Sequence, residues 1–205
     1  GMKKMSFHRP ISRQYIHEWI FMKALQAEKI ISLRYKFVNV TLNGKDLGIY
    51  ALEEHFNSEL ISANKHREGV IVKFDEDLMY QESSYQRTKE SYVKSFRASS
   101  NDAFKISKIR EKPELFQQFK IAISLLEQFK NKALKTSDVF DLDTMAKHAA
   151  LSDIMGAHHG MNWHNRRFFY NPVTSRLEPI GFDADIYPEL LPISYLYLNL
   201  PMWGD

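Results

Sequence analysis

The sequence predicts an α+β fold in which an antiparallel sheet adjoins a mainly helical lobe, and three observations predict it. Residues 34–42 and 45–53 alternate apolar and polar side chains on either side of Asn43-Gly44, the pair preferred in a two-residue turn because both central residues take positive φ. Residues 69–75 read Gly-Val-Ile-Val-Lys-Phe-Asp, an apolar run of strand length. Beyond Lys112 the apolar period becomes helical, with Leu115, Phe116, Phe119, Ile123, Leu126 and Phe129 three or four apart, which stacks them on one face.

Composition narrows the class. At 205 residues, 44% hydrophobic and 13% aromatic, the chain can bury one sizeable core and is not a disordered polymer. It reads as a single domain: a sheet-containing part over 2–80, a polar insertion over 81–110, and a helical part carrying a site loop over 111–205. A net charge of +3 with acids and bases interspersed argues against a nucleic-acid partner. The absence of cysteine excludes disulfides and thiolate metal sites and leaves the compartment open. No apolar run approaches the roughly 20 residues that span a bilayer. Gly1 ahead of Met2, together with the ending Met202-Trp-Gly-Asp205, predicts a domain excised from a longer protein.

Taken in order, residues 12–28 predict an amphipathic helix capped by Ser12, with Ile16, Trp19, Ile20, Ala24 and Ala27 on its buried face. Counting outward from Asn43-Gly44 sets Val40 opposite Leu47 and Val38 opposite Ile49. Glu53 and Glu54 follow where the strand hands over to a helix near 56–65, and strand alternation lets one of them point inward. Lys73 either snorkels from an edge strand or serves a site. The segment 81–110 holds a helical stretch near 85–96 and the loop Ala98-Ser-Ser-Asn101. Pro113 suits a first helical turn, and Asp141 or Asp143 caps a helix through Met145, Ala149, Leu151 and Ile154.

Chemistry concentrates in residues 153–185. A helix ends at Gly156, and a loop carrying His158, His159, Asn162, His164 and Asn165 follows. Two strands, 166–170 and 176–180, flank the turn Asn171-Pro-Val-Thr-Ser175 and empty into Asp183 and Asp185. An Asn on one loop and an Asp after the neighbouring hairpin suit a single hard cation. Trp163 reads as a packing anchor, and Arg166 and Arg167 as solvated or phosphate-binding groups.

The order of Gly48-Ile-Tyr-Ala-Leu-Glu-Glu54, Gly69-Val-Ile-Val-Lys73, a loop closing on Asn165, a Phe-Phe-Tyr strand and Pro179-Ile-Gly-Phe-Asp-Ala-Asp185 resembles the spore coat protein H (CotH) kinase family from about Tyr15 to Asp185. That resemblance implies a divergent protein-kinase-like fold that transfers phosphate from ATP to Ser or Thr of a protein. It implies that Lys73 contacts nucleotide phosphates, that Glu54 orients Lys73, and that Asn165 and Asp183 bind Mg²⁺ or Mn²⁺ with Asp185 as a further ligand. Phosphoryl transfer needs that set, because it consists mainly of positioning and charge neutralisation. The family carries an Asp a few residues before the Asn to accept the substrate's proton. His159 stands there in this chain, and imidazole can act as a base near neutral pH. The family's strands and glycines that precede this region and complete the nucleotide pocket are not in the sequence. The resemblance implies a protein substrate or a coat or surface partner, and allows a spore-coat, cell-surface or extracytoplasmic location.

Two further readings compete. A kinase-like binding or structural module without chemistry is favoured by the replaced Asp and disfavoured by Lys73, Asn165 and Asp183. A metal hydrolase would use His158, His159, His164 and Asp183 as ligands, at a spacing that matches no metal motif.

Overall fold

The computed structural model describes residues 2–77, 80 and 89–185. Its elements are β1 (Met5–His8), a 3-10 turn (Pro10–Arg13), α1 (His17–Ala27), β2 (Ile31–Ser32), β3 (Tyr35–Leu42), β4 (Lys45–Glu54), α2 (Ser58–Ala63) and β5 (Ile71–Phe74). They continue as α3 (Lys89–Ala98), β6 (Asn101–Ala103), α4 (Ile106–Arg110), α5 (Pro113–Lys130), α6 (Thr136–Val139), α7 (Leu142–Ile154), β7 (Arg167–Asn171) and β8 (Arg176–Gly181). The α+β class holds.

The strands form two sheets, where the sequence predicts one. The hairpin β3–β4 joins β1 in a three-stranded sheet ordered β1-β4-β3, while Lys73 lies in a five-stranded sheet ordered β2-β8-β7-β5-β6. The second sheet is mixed, because β2 runs parallel to β8 and the other pairs are antiparallel. Pairing partners are a long-range choice that strand periodicity does not encode.

The five-stranded sheet separates two cores. Alternation along β5 and β7 sends Val72, Phe74, Phe168 and Tyr170 to one side, against Trp163 and the apolar faces of α5 and α7. Ile71 and Phe169 go to the other side, against α1, α2 and the three-stranded sheet. Residues 89–110 contribute Phe96, Ala103 and Ile109 to the first core, and β6 pairs with β5. Of the helical stretch predicted near 85–96, residues 85–88 lie outside the described residues.

Several expectations change for local reasons. The Asn43-Gly44 turn forms with φ of 52° and 77°, but Val40 faces Gly48 and Val38 faces Tyr50. A bulge at Leu47 shifts the register by one, with Gly48 at φ 76° and its N–H bonded to the Asp46 carboxylate at 2.8 Å. Helix α1 begins at His17, after a 3-10 turn in which the Ser12 hydroxyl donates to the Arg9 carbonyl. Its buried face is Glu18, Phe21, Met22 and Leu25, whereas Ile16, Trp19 and Ile20 are exposed. Asp141 does cap α7, accepting from the Thr144 N–H at 2.9 Å. That helix buries Met145, His148 and Ser152 and leaves Ile154 in solvent. Lys73 is on an interior strand between β6 and β7, not an edge.

Candidate functional site

The site is built where the loop after α7, the segment after β8 and the turn before α1 meet. Gly156 ends α7 at φ 65°, and two short 3-10 turns (His159–Met161 and Trp163–Asn165) carry the loop to β7. Trp163, fully buried among Phe74, Phe96 and Tyr92, anchors it. Gly160 lies so close to the Phe182 backbone that a Cβ would sit 2.2 Å from the Phe182 carbonyl oxygen. No other residue allows that approach, which lays the His159 loop against Asp183.

Here His159 Nδ1 is 2.7 Å from Asp183 Oδ2. An ionised carboxylate only accepts, so Nδ1 carries the proton, and in the neutral imidazole Nε2 then keeps the lone pair. Asn165 Nδ2 donates to the His159 carbonyl at 3.0 Å, which fixes the Asn165 amide beside the imidazole. His159, Asn165 and Asp183 therefore converge. The Asp183 hydrogen bond raises the His159 pKa, outweighing burial. Burial pushes the Asp183 carboxyl up, but the His159 bond and Arg13 outweigh it and hold Asp183 below the usual carboxylate range. Asp185, half-buried, adds its field to His159 and to Glu18.

Sequence reasoning missed the groups on the opposite wall. Arg13 closes the 3-10 turn and is followed by Gln14 and Tyr15 at φ 49° and 61°, a left-handed conformation that costs non-glycine residues on the order of 1–2 kcal/mol each. Its guanidinium pairs with Asp183 Oδ1 through one terminal nitrogen and lies 3.1 Å from Glu18 Oε2 through Nε. Glu18 is fully buried. Burial, which Arg13 only partly offsets, pushes Glu18 up to about 7. Burial and the charge of Glu18 push Glu53 up to about 8. A signal for Glu18 existed: it stands at i, i+3, i+4, i+7 spacing with Phe21, Met22 and Leu25, so it belongs to the inward stripe.

Glu54 does not reach Lys73. Its carboxylate is gripped by Arg34, whose Nε donates to Oε2 at 2.7 Å while a second nitrogen bonds Oε1. Both Glu53 and Glu54 are buried, so of the adjacent acids it is Glu53 that shares the Arg13 environment. Lys73 stands directly across from Arg167 in the sheet, with Nζ 6.0 Å from the Phe104 ring centre. Arg167 packs over Phe56, Phe104 and Phe182 and donates to the His164 carbonyl at 2.7 Å. Arg166 is buried too and donates to the Met161 carbonyl at 2.9 Å, so neither arginine is solvated. No described carboxylate pairs with the Lys73 ammonium.

His158 and His164 are also buried; His158 is 3.3 Å from Asp153, and His164 packs against Trp163 and Tyr92. Among the described residues, no group of three or more His, Asp or Glu side chains could hold a metal ion as they stand. The oxygens of Asn165 and Asp183 are the right type for a hard cation. Both carboxylate oxygens of Asp183, however, are already engaged by protein donors.

A family model described as CotH kinase protein matches residues 13–186, most of the 205-residue chain. The chain belongs to the CotH kinase family. No curated protein matches this CotH domain. Its matched span begins at Arg13 and takes in His159, Asn165 and Asp183. Among its described residues, no helix is long and apolar enough to cross a membrane.

Proposed function

We propose that this CotH domain transfers phosphate from ATP to Ser or Thr hydroxyls of a protein. The observation that carries the reading is the Asp183–His159–Asn165 convergence, in which Asp183 orients the His159 ring through Nδ1 and leaves Nε2 as the nitrogen that can take a proton. In that arrangement the imidazole takes the proton of the substrate hydroxyl as its oxygen attacks the γ-phosphorus and ADP leaves. Asp183 stabilises the imidazolium that forms, as carboxylates paired to catalytic histidines do. Lys73, on the interior strand and without a described carboxylate partner, would bind phosphate oxygens. Asn165 and Asp183 would hold a Mg²⁺ or Mn²⁺ ion, whose contribution when bound is to neutralise phosphate charge. Asp185 is the further ligand proposed beside them.

A thermal-shift titration with ATP and Mg²⁺ tests the reading, since a ligand that binds only the native state raises the melting temperature. Asp183→Ala removes the metal-dependent shift. His159→Ala keeps the shift and lowers phosphotransfer by about 10²- to 10⁴-fold, the usual contribution of a general base. An unchanged shift in Asp183→Ala refutes the cation site. The second reading, a binding or structural module without chemistry, is favoured by the Arg13–Asp183 ion pair. It requires that no phosphate reaches any protein substrate under conditions where ATP binds.

A further inference from the structure

Building on that phosphotransfer reading, we infer that Arg13 is an internal counter-ion standing where a divalent cation would approach Asp183, and that the turn carrying it must release it before the cation is held. Three observations combine. The Arg13 guanidinium takes Asp183 Oδ1 while His159 takes Oδ2, so the carboxylate is closed to a metal in this arrangement. Glu18, Glu53 and Asp183 are all buried around this one guanidinium. Three carboxyl groups thus gather at one arginine, a setting that suits a group of higher positive charge. The turn is also exposed and strained: none of Pro10–Arg13 is buried, Tyr15 is 60% exposed, and Gln14 and Tyr15 hold left-handed backbone conformations. Strained, weakly packed backbone beside a site is characteristic of switch segments.

The energetics are those of competition. A divalent ion gains about twice the Coulomb attraction to Asp183 that a guanidinium has at equal distance. It gains it only in the fraction of molecules whose arginine is displaced, so its apparent affinity is lowered by that fraction. Arg13 thereby sets the concentration at which the cation enters, and couples its entry to whatever moves residues 9–15. Tyr15, Ile11 and Ile16 face solvent on this turn and give a partner direct access to it.

Mn²⁺ binding followed by electron paramagnetic resonance, without nucleotide or turnover, tests this inference. Arg13→Gln, and Arg13→Gln/Glu18→Gln as the variant that leaves Glu18 no buried charge without its arginine, should bind Mn²⁺ about tenfold more tightly than the wild-type chain. Adding Asp183→Asn to either should abolish the gain. Circular dichroism establishes that each variant is folded, and the double variant serves if the single one is not. If the wild-type chain binds Mn²⁺ and the folded arginine variant binds it no better, Arg13 is not a competitor and the phosphotransfer reading stands. If neither binds Mn²⁺ at millimolar concentration, Asp183 is not a cation site and both readings fall.

Discussion

Two buried polar clusters, one on the five-stranded sheet and one beyond the end of its β8 strand, differ in how well their charges match. Glu178 on β8 accepts from the Asn171 amide at 2.6 Å and pairs with His66 Nε2 at 2.9 Å, while His66 Nδ1 bonds the Asn64 carbonyl at 2.8 Å. One carboxylate meets two donors, and the Glu178 hydrogen bond raises the His66 pKa. At the other cluster, Glu18, Glu53 and Asp183 share Arg13, and burial drives Glu18 and Glu53 up to about 7 and about 8. The balanced cluster ties α2 to the sheet. The unbalanced one keeps carboxylates in a protonation state that a cation would change, as perturbed groups at functional sites do.

The largest effect that separates the two clusters is the pH dependence of stability. Unfolded, Glu18 and Glu53 titrate near 4.5, so between pH 4.5 and about 8 the folded state holds protons that the unfolded state releases. Stability therefore falls as pH rises through that window, by up to about 1.4 kcal/mol per pH unit for each carboxylate. His66, raised in the folded state, adds stability at low pH that is lost in the same direction. Denaturant titrations of the wild-type chain and of Glu18→Gln/Glu53→Gln from pH 5 to 8.5 isolate the two glutamates. Parallel curves would mean that they are ordinary solvated acids.

Next in size is Glu178→Ala, which strands His66 and Asn171 and should cost about 3 kcal/mol, as removing one partner of a buried pair does. At roughly 2–4 °C per kcal/mol for a chain of this length, the melting temperature drops by about 10 °C. A loss below about 1 kcal/mol would place this cluster with solvent-exposed pairs instead. Smallest is Gly160→Ala, whose Cβ meets the Phe182 carbonyl oxygen at 2.2 Å. Overpacking of this kind costs about 1–3 kcal/mol, and relief requires Phe182–Asp183 to move away from His159. The His159 pKa, read by side-chain NMR, should then fall toward its ordinary value while that of His66 stays where it is. A His159 titration identical to wild type would show that Gly160 does not govern the contact.

Local chemistry determined much of this protein. The Asn43-Gly44 turn, the Pro113 start of α5, the Asp141 cap and the Gly156 stop each depend on neighbours within a few residues, and each was legible for that reason. So was the anchoring of Trp163, which is fully buried. The α1 face was misjudged because apolar type alone was counted, and the buried stripe includes Glu18. The Glu54 assignment failed because a strand's alternation offers two faces, and only the approach of Arg34 to one and the Arg13 environment to the other separates Glu53 from Glu54. The sequence by itself determined the β3–β4 hairpin turn, the starts of α5 and α7 and the site loop, since these rest on backbone geometry and nearest neighbours. Only the tertiary structure decided that there are two sheets, and that an arginine 170 residues before Asp183 would pair with its carboxylate. Long-range charge pairing leaves no periodic trace in a chain, and exists only once burial removes the water that would otherwise solvate each group.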